Sequence, residues 1–178
     1  KIKTGQKVLI NGAGGGVGAF AIQLAKSQDT VVTGVDKANK FDMMRSLGAD
    51  HMIDYQKENF TKNGQGYDII LENIATRSMF DYLRALNPQG IFVMTGGTTA
   101  RILQLALLGK LISSLSSKKI RMAGLKYSSA DMAHLAGMME AGKLKPVIDK
   151  CFSLAETADA FRYFGKGNYK GKVVIKIV

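Results

Sequence analysis

The chain has 178 residues, 46% of them hydrophobic, enough for one sizeable core and too few for two full domains. Its formal net charge is +11, yet the lysines are scattered through every segment and aromatics make up only 8%, so the expectation is solvated surface charge and no nucleic-acid partner. Cys151 stands alone, which excludes an internal disulfide, and with only His51 and His134 beside it no metal-ligand spacing exists; a reducing, cytoplasmic setting is expected.

Lys1 leads through Thr4-Gly5 straight into an apolar run, with no initiator methionine or secretory segment, which reads as a piece of a longer protein. Short β-branched runs then alternate with segments of helical period, the pattern of βαβ units and a parallel sheet covered on both faces. Strands are predicted at residues 7–10, 30–35, 51–53, 68–71, 91–95 and 120–125. Between them, residues 17–27 carry Val17, Phe20, Ala21, Leu24 and Ala25 on one helical face, and Phe41, Met44 and Leu47 recur at threefold spacing before Gly48 closes their helix. A third stripe, Met79, Phe80, Tyr82, Leu83 and Leu86, precedes the turn Asn87-Pro88-Gln89-Gly90. The longest apolar stretch, 102–115, is interrupted by Gln104, Gly109 and Lys110 and falls short of the ~20 clean residues a membrane span needs, so no membrane association is expected. After the sixth strand the rhythm changes to a helix at 129–141, an extended run at 146–152, a short helix and a strand at 172–178. Ser153-Leu154-Ala155-Glu156 is a capping box that opens the short helix. The predicted organisation is therefore a Rossmann-type doubly wound α/β domain over 1–128, with a six-stranded parallel sheet, and a separate carboxyl-terminal unit over 129–178.

The chemistry-bearing motif is Asn11-Gly12-Ala13-Gly14-Gly15-Gly16-Val17-Gly18, placed between the first strand and the first helix. Read as Ala13-x-Gly15-x-x-Gly18, it is the dinucleotide fingerprint with alanine for its first glycine. A small residue at 13 permits the tight turn, Gly15 lets backbone approach a pyrophosphate, and Gly18 lets helix and strand pack closely. The helix amino terminus offers unpaired N–H groups and partial positive charge to the anion. Asp36 ends the second strand eighteen residues past Gly18, where an acidic group meets the adenosine ribose; it would also serve as an N-cap for a helix starting near Lys37.

The run KVLINGAGGGVGAFAIQLAK at 7–26, SLGADHMIDY at 46–55, LKPVIDK and the closing GKVVIKI resemble the zinc-independent, quinone-oxidoreductase-like branch of the medium-chain dehydrogenases/reductases, over essentially the whole chain. The resemblance implies that 129–178 is a return to a catalytic domain whose first part precedes this chain, and that the substrate cleft lies between the two. It implies that Gly15, Gly16, Val17 and Gly18 hold the pyrophosphate, that Asp36, Lys37, Lys40 and Tyr55 surround the adenosine ribose, and that Asn73, Gly96 and Gly97 border the dinucleotide at the ends of strands four and five. Asn168 and Lys172 resemble a family segment near the nicotinamide phosphate. The implied activity is hydride transfer from NAD(P)H to a quinone, enone or related electrophile, with a slight lean to NADP(H), no metal, and no catalytic residue assigned in this chain. Three alternatives stay open: a non-catalytic nucleotide-binding module, a methyltransferase, and a zinc-dependent alcohol dehydrogenase with its metal site elsewhere. A homodimer through the edge strand 120–125 is also expected.

Overall fold

The computed structural model of the protein describes residues 2–124 and 128–177. In its first part β1 (Lys7–Asn11) leads to α1 (Gly18–Lys26), β2 (Val31–Asp36), α2 (Phe41–Ser46) and β3 (His51–Asp54). The chain then crosses over to β4 (Tyr67–Glu72), α3 (Met79–Ala85), β5 (Leu86–Met94), α4 (Thr99–Leu115) and β6 (Lys119–Met122). The six strands form one sheet in the order β3-β2-β1-β4-β5-β6, every neighbouring pair parallel. This is the expected doubly wound α/β fold. Because the winding reverses between β1 and β4, their carboxyl ends flank a crevice, the usual ligand position in open α/β sheets.

Alternation along β1 shows how the sheet is buried on both faces: Val8 and Ile10 pack with Ile22 and Ala25 of α1 and Met44 of α2, while Leu9 packs with the opposite cluster containing Tyr82 of α3 and Leu105 of α4. Helix α1 is turned relative to expectation. Gly18, Ala19, Ile22 and Ala25 face the sheet, Phe20, Ala21 and Leu24 are only half-buried, and Val17 is exposed, because the small side chains let the helix approach most closely. Phe80, read as core, is likewise exposed, and Leu86 starts a strand instead of ending a helix. The predicted turn 87–90 lies inside β5, where a register shift between Tyr67 and Ile69 of β4 absorbs it. The stretch 102–115, given no element from sequence, is the second half and more of α4; among the described residues no helix is long and apolar enough to cross a membrane. The predicted strand 120–125 is observed as Lys119–Met122, and Leu125 lies outside the described residues.

The tail comprises α5 (Ser129–Glu140), β7 (Ile148–Ser153), α6 (Thr157–Gly165) and β8 (Lys172–Lys176), with β7 and β8 forming their own two-stranded parallel sheet. The Ser153–Glu156 capping box is present with both of its hydrogen bonds. Backbone groups of the tail are tied back to the first part. Gln23 of α1 exchanges hydrogen bonds with the Lys145 backbone at 2.8 and 3.0 Å, and Gly171 N–H donates to the Gly14 carbonyl at 2.9 Å.

Candidate functional site

The glycine loop leaves β1 and turns immediately under β2, with the N–H groups of Gly12 and Ala13 both donating to the Val35 carbonyl. The chain then enters α1, whose first residue, Gly18, lies against the Gly12 carbonyl oxygen, with the position of an added Cβ only 2.5 Å from Ala13 Cα. Gly16 lies against the Gly171 carbonyl in the parallel bridge that pairs Gly15 with Gly171, whereas among the described residues no acceptor meets the N–H groups of Val17 and Gly18. They stand open at the amino end of a nine-residue helix, where the helix dipole adds partial positive charge. A Cβ at Gly15 would meet only the Gly12 carbonyl oxygen, at 3.4 Å, so the protein itself does not need the space that glycine leaves there.

Asp36 is not a helix cap. Its carboxylate is buried and reaches back to the loop, where Oδ2 accepts from Gly14 N–H at 2.9 Å and Oδ1 accepts from Lys37 N–H at 2.8 Å. Lys40, itself only 4% exposed, sets its Nζ 3.1 Å from Asp36 Oδ1, lies across Gly14, and stands 5.1 Å from the centre of the Tyr169 ring. Asp36 is thus fully occupied by the protein, and Lys40 neutralises it. The Lys37 ammonium points to the tail instead, 2.8 Å from Asn168 Oδ1, and Lys172 Nζ sits beside Gly16 and over the Phe20 ring. Asn168 therefore belongs to the Asp36 end of the loop and Lys172 to the helix-terminus end.

These groups line a cleft of about 600 Å³ with Asn11, Gly12, Gly15, Asp36, Lys37, Lys40 and Tyr55 on one side and Ile74, Thr76, Arg77, Gly167 and Tyr169 on the other. Its lining carries three cations against one carboxylate, and since Lys40 is spent on Asp36, Lys37 and Arg77 remain as surplus positive charge. Arg77 is oriented by Asn59 Oδ1, at 3.0 Å from its Nε, and by stacking over Phe60. The phenols of Tyr55 and Tyr169 are both pushed up from the ordinary tyrosine value, by burial first and then by the Asp36 charge, so both stay neutral at physiological pH.

The expected residues at strands four and five behave differently. Asn73 spends its amide on structure, donating to the Asn11 carbonyl at 2.9 Å and accepting from Thr95 Oγ1 at 2.7 Å, and does not line the cleft. Gly96 and Gly97 allow the loops after β4 and β5 to meet: added Cβ atoms would lie 2.9 Å from the Asn73 carbonyl oxygen and 2.7 Å from Ala75 Cβ. Beneath them lies Glu72, fully buried, whose Oε1 accepts from Asn11 Nδ2 at 2.7 Å and Ile74 N–H at 2.9 Å while Oε2 has no hydrogen-bond partner. Burial raises its pKa, and burial, followed by the charge of the Glu72 carboxyl, pushes the Tyr82 phenol up as well. Glu72, Arg77 and Tyr169 carried no motif in the sequence; only the position of the first two at or just after a strand end pointed to them.

What the site offers chemically is a set of open amides at a helix end for an anion, a glycine surface clear of side chains, and a neutralised carboxylate flanked by cations. Among the described residues no three His, Cys, Asp or Glu side chains gather closely enough to hold a metal ion.

Fold and loop together define the class, a doubly wound α/β domain with a glycine-rich loop at its switch point. Residues 47–175 match the family model described as zinc-binding dehydrogenase, and the chain belongs to that family, among the medium-chain dehydrogenases/reductases. It is 33% identical, over 98% of its length and 49% of the relative's, to the mitochondrial NAD(P)H oxidoreductase RTN4IP1 of Bos taurus. It is 31% identical, over 96% of its length and 52% of the relative's, to the chloroplastic quinone-oxidoreductase QR1 of Triphysaria versicolor. The quinone oxidoreductase of Coxiella burnetii shares the fold, with a TM-score of 0.86 at 24% identity over 99% of this chain and 54% of that one. The chain spans about half the length of the curated relatives it matches. No ligand set for the zinc of the family name exists among the described residues.

Proposed function

We propose that this chain is the dinucleotide-binding part of an NAD(P)H-dependent oxidoreductase that delivers hydride to a quinone, enone or related carbonyl compound, with NADP(H) preferred. The observation that carries the cofactor reading is the cleft at the β1/β4 switch point, lined by Gly12 and Gly15 of the glycine loop and by Asp36 with Lys37 and Lys40, beside a helix amino terminus whose Val17 and Gly18 N–H groups are open. In this reading the backbone of Gly15 to Gly18 holds the pyrophosphate, with Val17 and Gly18 offering their N–H groups, Gly15 giving it room, and Lys172 adding a cation beside them. Asp36, Lys37, Lys40 and Tyr55 surround the ribose. When bound, the reduced nicotinamide supplies the hydride, and the protein supplies position and polarity.

An unpaired Asp36 would repel a 2′-phosphate strongly, since two unit charges about 4 Å apart interact by about 4 kcal/mol near a protein surface before salt screening. Lys40 cancels most of that repulsion, and Lys37 and Arg77 then favour the phosphate. Support for the oxidoreductase class comes from the family and from relatives named as NAD(P)H and quinone oxidoreductases. A catalytic role shared with a further domain, in preference to a self-sufficient nucleotide sensor, is favoured by the tail, where Met132, Met139, Ile148, Leu154, Phe161, Phe164 and Ile177 are all exposed. The lone Cys151 suits a reducing, cytoplasmic compartment.

Calorimetric titration with NADPH and NADH tests this reading. The chain is expected to bind both, NADPH more tightly, and to turn neither over alone, because hydride transfer needs an acceptor held ~3 to 3.5 Å away. Asp36→Ser is expected to strengthen NADPH binding and Lys40→Ala to weaken it, with NADH less affected by the lysine change. A ratio of the two affinities that moves by less than about twofold (0.4 kcal/mol) in both variants would remove the ribose pocket from this place.

The same proposal includes a homodimer. β6 is the last strand of the sheet, and antiparallel pairing with the β6 of a twofold mate closes its open edge. Sedimentation should show dimer at micromolar concentration; monomer alone across a wide concentration range would contradict it.

A further inference from the structure

The segment from Gly167 to Lys172 is more than a connection between α6 and β8. It crosses the glycine loop, is fastened there by the Gly171 N–H to Gly14 carbonyl bond, and brings Tyr169 into the cleft opposite Asp36. Behind the cleft the Tyr169 ring is stacked on Phe164 of α6, with centroids 4.4 Å apart and planes at 18°. In front of it stands the Lys40 ammonium. The tyrosine is therefore braced on its far side and presents a ring face to the cation on its near side.

Lys40 is held by two attractions, the Asp36 carboxylate at 3.1 Å and the Tyr169 ring, in a place where its side chain is only 5% exposed. Desolvation strengthens a cation's attraction to an aromatic face, because water no longer competes for the charge. To meet a phosphate on the ribose the ammonium must give up part of both contacts. A ligand without that phosphate asks nothing of Lys40. The ring thus weighs against one dinucleotide and is indifferent to the other.

We infer that Tyr169 is a specificity-determining residue, which lowers the preference for NADP(H) over NAD(H) by holding the Lys40 ammonium on its ring face and so away from a ribose phosphate. The inference rests on the reading of the cleft as the dinucleotide site, and it adds a residue of the tail to a pocket otherwise built by the amino-terminal half. It assigns the tail a part in choosing the cofactor.

The experiment is a set of calorimetric titrations of the 178-residue chain with NADPH and with NADH. Tyr169→Ala should raise the ratio of NADPH to NADH affinity by about three- to tenfold. Tyr169→Phe keeps the ring and should leave the ratio unchanged. Phe164→Ala removes only the brace behind the ring, at an exposed side chain, and should move the ratio the same way by less. In a Lys40→Ala background, Tyr169→Ala should no longer change the ratio, an outcome that a merely structural role for the tyrosine does not produce. An unchanged ratio in Tyr169→Ala, or one shifted toward NADH, overturns the inference while leaving the cleft as the dinucleotide site. Equal loss of both affinities in Tyr169→Ala also overturns it, since the ring would then serve the shared adenosine. Failure of the unsubstituted chain to bind either dinucleotide overturns the reading of the cleft itself, and the inference falls with it.

Discussion

Alanine at Gly18 is expected to destabilise the chain by about 1–3 kcal/mol and to weaken dinucleotide binding at least about tenfold, while alanine at Gly15 should weaken binding with little change in stability. The two glycines stand three residues apart in one loop and do opposite things. At Gly18 a methyl group would run into the Gly12 carbonyl oxygen and stand 2.5 Å from Ala13 Cα and 2.7 Å from Ala13 C. These are backbone atoms of the tight turn, so nothing can rotate aside; α1 has to move away from β1, and the open N–H groups of Val17 and Gly18 move with it. The same displacement opens the packing of Ala19, Ile22 and Ala25 on the sheet, which is where the stability is lost. At Gly15 the added methyl would only touch the Gly12 carbonyl oxygen at 3.4 Å, an ordinary contact, so urea unfolding should give the parent midpoint. Its methyl would instead occupy the surface a pyrophosphate must reach. Parent-like affinity in Gly15→Ala would show that the anion does not lie on this loop, and parent-like stability in Gly18→Ala would show that helix and loop are less tightly opposed than the structure has them.

The parts of this molecule that could be read in the sequence are those governed by neighbours along the chain. The strands announced themselves because both faces of a parallel sheet are buried, so that Val8, Leu9 and Ile10 read as an unbroken apolar run. The glycine loop and the Ser153–Glu156 box are equally local. Helix α4 escaped because it is apolar nearly all round: Leu103, Leu107, Leu111 and Leu115 are exposed while Leu105 and Gly109 meet the sheet, which erases the amphipathic period. In α1 the periodicity was present but pointed to the wrong face, since closeness of approach favoured the alanines and Ile22 over Phe20 and Leu24. For the cleft, Asp36 was legible from the end of β2, and Lys37, Lys40 and Tyr55 only from the family resemblance; the arrangement of the four was not legible at all. Whether Asp36 caps a helix or reaches the loop depends on where Lys40 lies, and what holds Lys37 and Lys40 depends on Asn168 and Tyr169, 131 residues further along in the case of the Lys37 to Asn168 bond. Such pairings have no signature in a single sequence. Glu72 was invisible for the same reason: an acidic residue after an apolar run looks like a strand end, and only the packing of Asn11, Ile74 and Tyr82 around it shows that it is buried.

Replacing Glu72 by glutamine is expected to leave the chain at least as stable as the parent at neutral pH, and the comparison should reverse in acid. Glutamine keeps an acceptor for Asn11 Nδ2 and Ile74 N–H and removes the carboxyl group, with its unpartnered Oε2, from a site with no exposure. The sign follows from the direction of the shift. Burial lifts the pKa of Glu72 in the folded chain above the ordinary value of 4.5, so its favourable contribution is present in full below that value and is lost as pH rises through the folded pKa. Asp50 and Asp81 run the other way, with hydrogen bonds holding their pKa values down so that their contribution is lost on acidification, but they do so in parent and variant alike and cancel in the difference. The stability of Glu72→Gln minus that of the parent should therefore climb as pH rises from the ordinary carboxylate range through the raised pKa of the folded chain, by an amount of order 1–3 kcal/mol, the usual cost of a buried polar group left unsatisfied. Glu72→Leu separates charge from hydrogen bonding: it removes the carboxylate but orphans two donors, at about 1–3 kcal/mol each, and should be less stable than the parent at every pH. Because Asn11 and Ile74 both line the cleft, the same variant should also lose dinucleotide affinity, whereas the glutamine variant should keep it. A pH-independent difference between parent and Glu72→Gln would mean that Glu72 ionises in the folded chain as it does in the unfolded one, and that a compensating partner for Oε2 exists.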